Sequence, residues 1–165
     1  MNIKTIERKS YDLLEHEKVL GSLFYTNHFM MEADVIDYVN AVTIFLRSNF
    51  SLSRAVSFDK NLKEIVQITK KTKNLFLVSF LNENKEYTIK MNGLWKTHFT
   101  IINAKGEELF ILIPLISFTK KLYDFTLRID QLKQQEINPI LVLHALHCVN
   151  SSLSMLNGSV TSAIK

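Results

Sequence analysis

Three side chains able to ligate metal or act as nucleophiles fall together late in the chain: His144, His147 and Cys148, in the stretch HALHC. A spacing of three residues sets two imidazoles near one face of a helix, as zinc ligation can use, and the adjacent thiol would be a third donor. A tetrahedral site needs four. His16, His28 and His98 are scattered singly through the rest of the sequence, so no second cluster completes the set. The simpler reading is a pair of packed histidines hydrogen-bonded to strand backbone. Cys148 would be a nucleophile only if exposed beside a base, and on a buried helix it is expected to be inert. No cofactor or metal is expected.

The second group is basic. The densest run, TKKTK, holds Lys70, Lys71 and Lys73, and further lysines, Lys96, Lys120 and Lys121, sit in later connectors. Such lysines can grip an anionic headgroup, or they can blunt strand ends and keep turns hydrated. The net charge of +4 and pI near 9.1 favour anionic surfaces without naming one. Nucleic acid is not expected, because aromatic residues recur inside strands instead of forming a stacking platform, and arginine is scarce. Trp95 reads as the cover of a barrel end. No nucleophile elbow, P-loop, dinucleotide fingerprint or H-E-x-x-H motif occurs, and the carboxylates form no catalytic pair. An enzyme is therefore not expected.

The elements that must position these residues are mostly strands. Short apolar or alternating runs occupy 10–14, 19–25, 29–36, 39–46, 52–58, 62–68, 75–81, 86–91, 97–102, 108–113 and 123–129. Two to five polar residues separate most of them, the spacing of an antiparallel β-protein. Connectors such as EHEK, DKN, NENK and NAKG carry residues that tolerate tight-turn dihedrals, and NAKG at 103–106 is the clearest hairpin. With only four glycines and two prolines, Asn, Asp and Lys must make most turns. The single cysteine excludes an internal disulfide framework, and the length of 165 residues suits one domain, 1–165, with a core of about 7–157.

From Ile137 to Ile164 there is no Asp, Glu, Lys or Arg. Asn138 is a good N-cap, Pro139 suits the first helical position, and Asn157 and Gly158 supply a stop. These signals predict a helix of roughly 18 residues. Its second half carries Asn150, Ser151, Ser152 and Ser154, and no basic or aromatic anchors flank it closely, so a transmembrane span is not expected. Yet Ile140, Leu141, Val142, Leu143, Ala145, Leu146 and Val149 cover every side of the wheel. A helix apolar all round needs partners all round, and a closed barrel supplies them while removing exposed sheet edges.

This order of elements resembles the tubby C-terminal-like superfamily, which includes the LURP-one-related proteins and the phospholipid scramblases. The likeness is carried by GLWKTHFTIINAKGEELFILIP (93–114), YDFTLRID (123–130) and INPILVLHALHCV (137–149), similar to that family's hairpin, strand and final acidic-x-x-Pro helix. It covers roughly residues 7–157. The resemblance implies a mainly β fold, a β-barrel of about 11–12 antiparallel strands, with a hydrophobic C-terminal α-helix threading it. For function it implies lipid-facing roles: tubby domains bind phosphoinositides through a basic surface, while LURP-one proteins have no agreed activity. Scramblase activity does not carry over, since the sequence has neither a cysteine cluster nor a calcium-loop pattern.

The expectation is a non-enzymatic binding module, cytoplasmic or peripheral at a membrane, recognising anionic phospholipid headgroups through Lys70, Lys71, Lys73, Lys96, Lys120 and Lys121. The alternative is a soluble protein-interaction or structural domain with no lipid role.

Overall fold

A computed structural model describes residues 1–7, 9–27, 29–49, 51, 53–93, 97–117, 122–129 and 137–162. Twelve strands form one closed antiparallel sheet: β1 (Asn2–Glu7), β2 (Ser10–Glu15), β3 (Lys18–Tyr25), β4 (Glu32–Asp37), β5 (Val42–Ser48), β6 (Arg54–Phe58), β7 (Glu64–Thr72), β8 (Leu75–Phe80), β9 (Lys85–Asn92), β10 (His98–Asn103), β11 (Glu108–Ser117) and β12 (Leu122–Ile129). Each strand pairs with its neighbour in sequence. The first and last then close the ring, with Asn2 opposite Thr126 and Ile3 opposite Phe125.

The alternation that marks half-buried strands is carried through to burial. In β4, Ala33, Val35 and Asp37 point inward while Glu32, Asp34 and Ile36 point outward. Phe99, Phe110 and Phe125 from β10, β11 and β12 fill the interior, each at most 1% exposed. Burying one such ring contributes on the order of 2 kcal/mol. Into this space runs α1 (Pro139–Ser162). Leu141 to Leu153 are all buried, so this stretch of the helix is enclosed on every face.

Three local expectations are corrected. The strand β1 was absent from the sequence reading, so the ordered core begins at Asn2, not near residue 7. β4, β5 and β7 begin at Glu32, Val42 and Glu64, three, three and two residues after the runs starting at Phe29, Val39 and Leu62. Each misassigned stretch is a turn held by an Asx side chain: Asn27 Oδ1 accepts the Met31 N–H, Asp37 Oδ1 the Val39 and Asn40 N–H groups, and Asp59 Oδ1 the Asn61 and Lys63 N–H groups. Asn157 and Gly158 do not stop the helix, which continues to Ser162. Asn and Asp side chains hold the turns as expected, and the non-glycine residues with left-handed backbone are His16, Glu17, Met30, Ala41, Leu62 and Asn84 among the described residues.

The NAKG hairpin is as read. Asn103 Oδ1 accepts the Lys105 and Glu107 N–H groups at 3.0 Å, and Gly106 takes φ +82°. At the helix start, Asn138 Oδ1 accepts the Ile140 N–H at 2.8 Å.

Alternation of strand direction gives the barrel two distinct ends. The entry end, where the helix begins, carries the β2–β3, β4–β5, β6–β7, β8–β9 and β10–β11 turns. The exit end carries the β1–β2, β3–β4, β5–β6, β7–β8, β9–β10 and β11–β12 connections. His144 meets Ser57 and Phe80 toward the entry end, while Ser154 reaches Met30 in the β3–β4 loop of the exit end.

Candidate functional site

His144 and His147 are held in two buried hydrogen-bond networks. His144 lies one and a half turns into the helix, where its Nδ1 is 2.7 Å from the Ile140 carbonyl. A carbonyl only accepts, so Nδ1 carries the proton and Nε2 accepts from Ser57 Oγ at 2.8 Å. His147 takes the opposite tautomer. Asn150 Nδ2 donates to Tyr25 Oη at 3.3 Å, leaving the phenolic proton for His147 Nδ1 at 3.1 Å, so Nε2–H donates to Ser48 Oγ at 2.9 Å. The expectation of strand backbone as partner is corrected: the strand partners are hydroxyls of β3, β5 and β6. They were missed because nothing local in sequence links residues so far apart.

Burial sets the electrostatics of both networks. Desolvation pushes His144 down to about 4, against the opposing pull of its bond to Ile140. Desolvation, then repulsion from His144, pushes His147 down to about 3. Both imidazoles are neutral at physiological pH. Burial raises the Cys148 thiol far from its reactive form, and the side chain is 1% exposed. Among the described residues, no three His, Cys, Asp or Glu side chains gather where they could hold a metal ion. All four imidazole nitrogens already have partners. Ser152 Oγ is the one buried side-chain polar atom among the described residues without a partner.

The buried Asp37 carboxylate is likewise consumed locally: besides two backbone N–H groups it accepts Asn40 Nδ2 at 2.8 Å. It builds a turn.

The lysines fall differently. Lys71 and Lys73 are exposed at the β7–β8 hairpin of the exit end, while Lys70, on the inward parity of β7, holds its ammonium 5.6 Å from the Phe76 ring centre. Lys96, Lys120 and Lys121 lie outside the described residues, as does Trp95; the strand ends flanking them, Asn92, His98, Ser117 and Leu122, belong to the exit end. Strand topology adds cations the sequence reading missed. Lys9, Arg47 and Arg54 also belong to the exit end, against Glu7, Glu32 and Asp124. The entry end carries Glu15, Glu17, Asp59, Glu64, Glu83, Glu86, Glu107 and Glu108. Its cations among the described residues, Lys18, Lys60, Lys63, Lys85, Lys105 and Arg128, are fewer, and Lys85 is bound to Glu83 at 2.7 Å. The barrel is therefore polarised along its axis, with an excess of positive charge where the helix leaves.

Two hollows lie among the described residues. One of about 350 Å³ lies at the entry end, lined by Tyr87, Leu109, Ile137 and Leu141 with Lys85 and Lys105 at its rim. The other, about 300 Å³, lies on the outer wall over β4–β6, lined by Phe45, Phe58 and Leu62 with Glu32, Asp34 and Arg47.

Against known proteins, no family model, curated protein or solved structure matches this chain. Among the described residues no helix is long and apolar enough to cross a membrane.

Proposed function

We propose that this protein is a non-enzymatic binding module that docks on anionic phospholipid through the exit end of its barrel. The observation that carries the reading is the axial charge polarity: Lys71, Lys73, Arg47 and Arg54 are exposed at one end, and carboxylates outnumber cations at the other. Each Lys or Arg near an anionic leaflet contributes on the order of 1 kcal/mol. Several acting together suffice for reversible attachment, and the acidic end turns away from the surface. Phe29, 70% exposed in the β3–β4 loop, adds an apolar tip at the same end, where an aromatic ring can sit among headgroups.

The same reading places the chain in the tubby C-terminal-like superfamily. Its support is the order of elements: twelve antiparallel strands followed by one buried C-terminal helix.

Flotation with vesicles of neutral lipid, and of neutral lipid mixed with phosphatidylserine, tests the proposal. Binding is expected only to the anionic vesicles, falling as salt rises. Lys71→Glu with Lys73→Glu is expected to weaken it at least about tenfold, since each reversal replaces attraction by repulsion. Charge-independent binding, or none, sinks the lipid role and favours a protein-interaction module.

A further inference from the structure

The outer wall of β3–β6 presents an uncovered apolar row. Cross-strand register sets Phe24 beside Asp34, Asp34 beside Phe45, and Phe45 beside Phe58. Phe24 and Phe45 are 46% and 41% exposed on a barrel in which Phe76, Phe80, Phe99, Phe110 and Phe125 point inward. Leu62 borders the same hollow and is 76% exposed. It also adopts φ +60°, a conformation in which Gly or Asn is usual and a branched apolar residue is rare. An exposed leucine beside exposed aromatic rings is what a docking face presents.

The charges on this wall identify the occupant. Glu32 on β4 lies directly across from Arg47 on β5, and both are exposed. Among the described residues the one ion pair within 4 Å is Lys85 with Glu83, so Glu32 and Arg47, though neighbours, do not close on each other. The two positions are also symmetric about a line running between β4 and β5. A two-fold rotation about that line exchanges β4 with β5 and β3 with β6. It sets Glu32 of each chain against Arg47 of the other, and Phe24 against Phe58. Asp34 then meets Phe45, whose ring edge carries partial positive charge. The patch is complementary to itself, the condition for an isologous contact.

We propose that the β3–β6 wall is the interface of a two-fold homodimer, with Phe24, Phe45 and Phe58 as its apolar centre and reciprocal Glu32–Arg47 pairs at its rim. Because the rotation axis follows the strands, both basic ends lie on one side of the dimer. The inference does not depend on the lipid reading, and failure of one leaves the other standing.

Light scattering and sedimentation over a dilution series of the full chain test it. A reversible monomer–dimer equilibrium is expected, with Kd about micromolar, as suits a modest patch. Glu32→Arg alone and Arg47→Glu alone each juxtapose like charges and are expected to weaken dimerisation at least about tenfold. An equimolar mixture of the two variants sets Arg against Glu at every rim contact, so it is expected to recover a heterodimer; that recovery also shows that both variants are folded. A chain that stays monomeric at hundreds of micromolar, whether the wall is bare or holds a copurified amphiphile or another protein, overturns the proposal. So does a dimer indifferent to the reversals, or a mixture that fails to recover.

Discussion

Acidification from pH 7 to pH 5 is expected to strip a large part of this protein's stability through two residues, His144 and His147. Their folded-state pKa values lie at about 4 and about 3, below the ordinary 6.5. The native interior holds them neutral, while in the unfolded chain they bind protons from near pH 6.5 downward. Stability is thus fully present above pH 6.5, and it is lost as pH falls toward the folded-state values, because the unfolded state takes up more protons. At pH 5 each imidazole contributes a loss of about 2 kcal/mol, and the pair about 4 kcal/mol. The figure depends little on the precise folded-state values, since both lie below pH 5. Against a total stability of about 5–15 kcal/mol the effect is large, and it corresponds to about 2 M in the urea midpoint for a slope of about 2 kcal/mol/M. Urea titrations at pH 7.5, 6 and 5 measure it for the wild type and for His144→Gln, His147→Gln and the double variant. His16, His28 and His98 are common to all four chains, so differences in pH slope isolate the buried pair. Each single variant should lose about half of the slope. If the double variant keeps the wild-type slope, the two imidazoles are not held neutral by burial and the reasoning fails.

Three further outcomes are expected. Gly21→Ala should cost about 1–3 kcal/mol, read as a lower Tm, because its Cβ would lie 2.6 Å from the Ile36 carbonyl oxygen and 3.0 Å from Leu143 Cδ1; an unchanged Tm would show that helix and wall can separate there at no cost. Removing residues 1–7 should open the ring between β2 and β12 and yield an aggregating chain, since two long edges are exposed; a monomeric, cooperatively unfolding product would contradict the closure. Cys148 should resist a thiol reagent in the native protein and react once urea unfolds it; fast native labelling would mean that the helix leaves the barrel readily.

Eleven strands were legible because their side chains alternate, and the helix because its cap and its uniformly apolar first half are local signals. The strand that closes the ring was not. In NIKTIE only Ile3 is placed in the core, the register shifts between Thr5 and Glu7, and the decisive partner, Phe125, lies at the far end of the chain. Apolar residues misled where they stand in turns: Phe29, Val39 and Leu62 extended the predicted strands, although Asn27, Asp37 and Asp59 had already marked the chain reversals. The basic end was half legible. Lys70, Lys71 and Lys73 stand out as a run, whereas Arg47 and Arg54 are separated by six residues and only strand direction brings them to the same end.

The interior polar groups answer a problem that an all-apolar helix would create. A uniformly greasy cylinder inside a barrel packs nearly as well at several rotations and depths, so burial alone does not select one. His144, His147 and Asn150 break that degeneracy by reaching Ser57 on β6, Ser48 on β5 and Tyr25 on β3. Each bond adds only about 1 kcal/mol net, but a helix turned or shifted by one residue would leave several buried donors and acceptors unpaired at about 1–3 kcal/mol each. Specificity thus comes from the penalty on wrong placements more than from the bonds themselves. The cluster with the most reactive residue types is therefore the part of the molecule most committed to fixing the helix. The two surfaces proposed for binding, the basic end where the helix leaves and the aromatic wall over β3–β6, are positioned by that fixed core.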